Sequence, residues 1–121
     1  MAAPSQVGSS QYPYLAVRIT VRGQSSGSHM ALVDTGFSGY LAVPTGSFND
    51  NFGLPDTRVE WQLADGSTVD APVYVGEVEI VGLPAVRAAI TMLGDEYVLG
   101  RSVLDHFKVT LDHGRLVTVE P

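Results

Sequence analysis

The chain has no cysteine among its 121 residues. Disulfides, thiolate nucleophiles and Cys-ligated zinc are therefore excluded, and the fold must rest on packing and strand pairing. Charge is also scarce, at 17% of residues. The seven basic side chains (Arg18, Arg22, Arg58, Arg87, Arg101, Lys108 and Arg115) are scattered through a chain of formal net charge −6. Such a distribution offers no basic stripe to nucleic acid or to an anionic membrane. No apolar run approaches the roughly 20 residues of a membrane-spanning helix. The first eleven residues are small and polar, without the basic start and apolar stretch of a secretion signal. The expectation is a soluble, cytoplasmic protein with neither a nucleic-acid nor a membrane partner. His29, His106 and His113 are widely separated and form no zinc-ligand spacing, so no metal and no cofactor is expected.

What the chain does have is apolar residues, 45% of the total, with 13 glycines and 7 prolines between them. This is the composition of one folded domain made of short strands and tight turns. The reading is an all-β domain over residues 12–121, preceded by a flexible segment over 1–11. In Tyr12 to Arg22, Leu15, Val17, Ile19 and Val21 alternate with polar or small residues, as in a half-buried strand. The Gly- and Ser-rich stretch Gly23 to His29 reads as a hairpin loop leading to a second arm, Met30 to Val33. Tyr40 to Val43 forms another strand, ended by Pro44. Thr45 to Pro55 has no clear period and leaves a short helix open. Arg58 to Leu63 and Thr68 to Val75 flank Asp65-Gly66, a hairpin signal. Val78 to Val81 and Ala85 to Met92 supply two further strands. Val103, Leu104 and Phe107 fall at helical spacing, predicting one short helix over Arg101 to Phe107. A last hairpin joins Val109–Leu111 to Leu116–Val119 around His113-Gly114.

Chemistry concentrates in Ala31-Leu32-Val33-Asp34-Thr35-Gly36-Phe37-Ser38-Gly39. A carboxylate is delivered at the end of an apolar strand, followed by a hydroxyl and a glycine that lets backbone amides approach it closely. Taken alone, Asp34 could equally cap a turn, as Asp often does.

In context, the apolar triplet, Asp34-Thr35-Gly36, an aromatic, Ser38-Gly39 and a following apolar strand resemble the active-site loop of retropepsin-like aspartic proteases. A second block, Tyr97-Val98-Leu99-Gly100-Arg101-Ser102-Val103-Leu104, resembles their apolar-apolar-Gly segment and C-terminal helix. The Asp65-Gly66 hairpin lies where they carry a flap. The resemblance runs from about Leu15 to Val119, and it extends to the small bacterial and archaeal single-domain members.

The resemblance implies a closed acid-protease barrel with one short C-terminal helix, and an aspartic endopeptidase in which Asp34 is catalytic. Thr35, Gly36, Phe37, Ser38 and Gly39 would form the active-site loop. Ala64, Asp65, Gly66 and Ser67 would form the flap tip that covers an extended peptide or protein substrate. Leu32, Phe37, Leu99 and Gly100 would line the cleft, although core packing accounts for each apolar side chain equally well. A dyad needs two carboxyls and the chain carries one Asp-Thr-Gly, so the resemblance implies a homodimer. Two features depart from the viral pattern. Ser38 stands where viral enzymes carry an Asp paired with the helix arginine, which leaves Arg101 to support the helix through backbone carbonyls or Asp105. The flap tip also lacks the glycine-rich viral sequence. A non-catalytic dimerisation or peptide-binding module on the same fold is the competing function.

Overall fold

The computed structural model describes residues 6–48 and 52–121. Among these residues the ten strands in chain order are β1 (Val7–Ser9), β2 (Tyr14–Val21), β3 (Gln24–Val33), β4 (Leu41–Val43), β5 (Thr57–Gln62), β6 (Thr68–Ile80), β7 (Val86–Met92), β8 (Val98–Leu99), β9 (Lys108–Asp112) and β10 (Leu116–Glu120). A single turn of helix, α1 (Arg101–Leu104), separates β8 from β9. None of the helices among the described residues is long and apolar enough to cross a membrane.

The alternation in β2 has the physical consequence expected of it. Leu15, Val17, Ile19 and Val21 are all 2% exposed or less, and they meet Leu41, Val43, Val78, Ile80, Ile90, Leu99, Val103, Val117 and Val119 in one core. The larger sheet runs β2-β3-β8-β4-β7-β6-β5, and an extra β2–β6 pairing joins six of these strands into a circuit. Most pairs are antiparallel. The exceptions are β3 with β8 (Leu32↔Val98, Val33↔Leu99) and β4 with β7 (Leu41↔Ile90 to Val43↔Met92), which are parallel.

Several boundaries differ from the sequence reading, each for a local reason. The predicted loop Gly23 to His29 is strand: Arg22 and Gly23 both have positive φ (52° and 77°) and make a tight two-residue turn, so β3 begins at Gln24. Its polar first half pairs at the exposed edge, and the register slips by one residue between Arg18↔Ser28 and Thr20↔Ser25. Gly27, at φ +92°, sits in that bulge. Thr68 to Ile80 is one strand where two had been expected with a break near Gly76. Gly76 marks a crossing instead, since a Cβ there would lie 2.3 Å from the carbonyl oxygen of Thr20. The segment 1–11 is not uniformly unstructured, because Val7–Ser9 pairs antiparallel with Val117–Val119 in a three-stranded sheet β1-β10-β9. The helix is shorter than predicted and stops at Leu104, with Phe107 beyond it packing against the core. Part of the Thr45 to Pro55 stretch, residues 49–51, lies outside the described residues.

Candidate active site

β3 ends at Val33, and the next residue is Asp34. Two hydrogen bonds fix this end: Leu32 N–H donates to Tyr97 O at 2.9 Å, and Asp34 N–H donates to Leu99 O at 3.0 Å. β8 is therefore clamped between β3 on one side and β4 on the other, through Leu41↔Leu99 and Ala42↔Val98. The loop Asp34–Tyr40 is what connects these two clamped strands, so its ends cannot drift.

Within the loop the Asp34 carboxylate turns back on its own backbone. Gly36 N–H donates to Asp34 Oδ1 at 2.8 Å, and Phe37 N–H donates to Asp34 O at 3.2 Å. The carboxylate is half-buried, while Thr35 and Gly36 are exposed beside it. An Oδ1 held by an amide leaves Oδ2 as the oxygen with no such anchor.

The rest of the loop is riveted to the start of α1. Arg101 N–H donates to Phe37 O (2.9 Å), Ser102 N–H to Gly39 O (3.1 Å), Ser102 Oγ to Ser38 O (2.8 Å), and Gly100 N–H to Tyr40 O (2.9 Å). The chain approaches this closely only because residue 100 is glycine. A Cβ there would stand 2.2 Å from Gly39 O, 2.6 Å from Phe37 Cδ2 and 2.8 Å from Phe37 O. Gly100 has φ −99°, so the requirement is for space and not for a left-handed backbone.

The Asp65-Gly66 hairpin is formed as expected, from β5 and β6 in the register Thr57↔Val73 to Gln62↔Thr68. Its tip is a four-residue turn in which Gly66 N–H donates to Leu63 O (2.9 Å) and Gly66 takes φ +88°. Asp65 accepts from Ser67 N–H at 2.9 Å and from the Ser67 hydroxyl, which holds its carboxyl below the ordinary Asp range. Ala64, Asp65, Gly66 and Ser67 are all exposed. Directly paired residues share a face, so Thr57, Val59 and Trp61 lie with Val73, Ala71 and Val69 on an apolar side. The opposite side carries the Arg58–Asp70 ion pair (3.0 Å). The apolar side reaches the Asp34–Tyr40 loop through Trp61, whose ring lies 5.3 Å from that of Phe37, tilted by 45°.

Two residues escaped the sequence reading. Trp61 carries a signal in the sequence, since its alternation with Val59 puts both on one face of β5, but no local feature says that this face meets the Asp34–Tyr40 loop. Ser102 carries no such signal, because only the backbone path brings its hydroxyl to Ser38 O. Three of the residues given a wall or support role are placed otherwise. Leu99 is fully buried in the core and Gly100 is buried beneath the loop, so neither faces a cleft. Arg101 contributes its backbone N–H, while its side chain is exposed and reaches neither a backbone carbonyl nor Asp105 among the described residues. Leu32 is half-buried at the end of β3.

The β5–β6 hairpin is anchored at its base. Arg22, on the tight turn, donates to Phe52 O, to Leu54 O (2.9 Å) and to Asp56 (3.1 Å). The other oxygen of Asp56 accepts from Val75 N–H at 2.8 Å. That amide bond, with Arg22 adding attraction, holds the Asp56 carboxyl below its ordinary value. No group of three or more metal-ligating side chains converges among the described residues.

No protein-family model matches the chain, and no curated protein matches it. Solved structures do. The solution structure of the Simian foamy virus (mac) protease matches with a TM-score of 0.50 and 20% identity, over 76% of this chain and 91% of that one. The foamy viral protease-reverse transcriptase in complex with RNA/DNA hybrid matches at 0.53 and 18%, over 79% of this chain and 12% of that one. A retropepsin-like aspartic protease from Rickettsia conorii matches at 0.56 and 16%, over 98% of this chain and 95% of that one. At such identities the likeness is one of backbone path, and on it the chain has the retropepsin-like fold.

Proposed function

We propose that the chain is one half of an aspartic endopeptidase, completed when Asp34 meets Asp34 of a second copy across a two-fold axis. The observation that carries this reading is the loop itself. A half-buried carboxylate stands at the end of a strand clamped on β8, and one of its oxygens is held by Gly36 N–H. On this reading the six-strand circuit is the closed barrel of the fold, and the β5–β6 hairpin is the flap.

One carboxyl cannot act as base and acid in the same step, and the chain has one Asp-Thr-Gly. Two Asp34 carboxyls at about 3 Å would share a proton, because like charges that close do not both ionise. The ionised carboxyl takes a proton from a bound water, whose oxygen attacks the peptide carbonyl carbon, while the protonated carboxyl donates to the carbonyl oxygen. The tetrahedral gem-diol then collapses: the carbon–nitrogen bond breaks, the amine leaves with the proton that the first carboxyl took from water, and a gem-diol hydroxyl returns its proton to the second carboxylate. Thr35, exposed at the loop tip, would face its counterpart across the axis.

The test is cleavage of a mixed peptide library at acid and neutral pH by wild type and Asp34→Asn, with sedimentation to report the assembly. Cleavage by a dimeric wild type, lost in Asp34→Asn, is the expected result. Equal cleavage by both proteins would take the chemistry away from Asp34, and a wild type that binds peptide without cutting it would leave a binding module instead.

A further inference from the structure

The Nε1 atom of Trp61 is buried and has no hydrogen-bond partner among the described residues. An indole nitrogen is only a donor, so burial without an acceptor is unfavourable and calls for one. The ring of Phe37 beside it is at most a weak π acceptor. Trp61 stands on the apolar face of the hairpin with its ring against Phe37 of the loop, so the covered Nε1 can meet a peptide only where the hairpin lifts from the loop to admit one.

Resting on the protease reading, we infer that Trp61 is a substrate-binding residue whose indole N–H donates to a main-chain carbonyl of the bound peptide. The chemistry selects that acceptor. The flap face around Trp61 is apolar, made of Val59, Val69 and Ala71, and the nearby loop carries the Asp34 carboxylate, so an anionic acceptor is disfavoured on both counts. An extended peptide presents neutral carbonyls at regular intervals along both edges, and these suit a fixed donor whatever the side chains are. The ring edge and Phe37 then present apolar surface to the side chain next to that carbonyl, which favours a large apolar residue there.

Trp61 is the single tryptophan of the chain, so one indole resonance reports on it without ambiguity. The probe is a pool of blocked octapeptides with Phe, Leu, Met or Tyr at the two central positions, and a control pool with Gly there. Added to Asp34→Asn protein, the first pool should move the indole N–H resonance downfield and slow its exchange with solvent, and the Gly pool should do so less. In cleavage assays Trp61→Phe, which keeps a ring and deletes the donor, should raise KM about threefold to tenfold, the loss of one neutral hydrogen bond, with a smaller effect on kcat.

An indole resonance that stays put while the wild type cleaves the pool overturns the inference and leaves the protease reading intact. So does a Trp61→Phe enzyme with unchanged KM. A resonance that responds to dilution of the protein but not to peptide assigns the donor to the partner subunit, and overturns the inference too. A peptide-induced shift without any cleavage supports the donor and removes the catalytic reading. Neither shift nor cleavage removes both. The resonance measurement needs no change at Trp61, so a Trp61→Phe protein that fails to fold does not obscure the outcome.

Discussion

Replacing Gly100 by alanine tests how the Asp34–Tyr40 loop is held. The added methyl would sit 2.2 Å from Gly39 O and 2.8 Å from Phe37 O, both backbone atoms that no rotamer change can move aside. Reaching van der Waals contact requires the loop to retreat by about 1 Å. Those two carbonyls accept the Ser102 and Arg101 amides, so retreat stretches both bonds at once. Each is worth about 1 kcal/mol net, and overpacking adds about 1–3 kcal/mol, for a total of about 3–5 kcal/mol. At about 4 °C per kcal/mol for a domain of this size, Tm should fall by about 12–20 °C. The assay is thermal unfolding followed by circular dichroism, with Gly76→Ala as comparison. A Cβ at Gly76 meets Thr20 O at 2.3 Å, in the crossing of β6 over β2 and away from the loop. Both variants should melt early, and only Gly100→Ala should lose more cleavage than its unfolded fraction explains. A Gly100→Ala protein melting within about 2 °C of wild type would refute the claim that the glycine is there for space.

Three further outcomes are expected. Ser102→Ala removes the hydroxyl bond to Ser38 O and should lower Tm by about 4 °C, as for one hydrogen bond, well short of Gly100→Ala. Asp56 has a depressed folded pKa, so the stability it contributes is complete above the ordinary Asp value of about 4 and is lost as pH falls through the lower folded value. The Tm gap between wild type and Asp56→Asn should therefore be widest near neutrality and close below pH about 4, as measured by melting at a series of pH values. Cleavage per chain should fall on dilution if the proposed dyad is built from two copies, and a rate strictly proportional to protein concentration down to the assay limit would contradict a separable dimer.

How much was legible in the residues varies with the range of the interaction. The β2 core face could be read because alternation is a property of neighbours, and Leu15, Val17, Ile19 and Val21 are indeed buried. The β5–β6 hairpin was legible because Asp65-Gly66 carries its own turn chemistry. β3 was misjudged because Gln24 to Ser28 have turn-forming composition. Their strand character comes from pairing with β2 across the Arg22-Gly23 turn. The apparent break at Gly76 misled for the same reason, since a glycine that serves a close crossing looks in sequence like one that ends a strand.

The sequence by itself determined that this is a β-rich domain without covalent staples, with one acidic loop motif after an apolar strand and one hairpin beyond it. Those features are written in residues a few positions apart, where periodicity, turn preference and side-chain chemistry act directly. Only the tertiary structure decided that Gly100 must lie under Gly39, that the Ser102 hydroxyl holds Ser38, and that Trp61 comes down upon Phe37 with its donor unmet. These contacts depend on strand register and on where the chain returns, quantities set by the whole core at once and by no local stretch of residues.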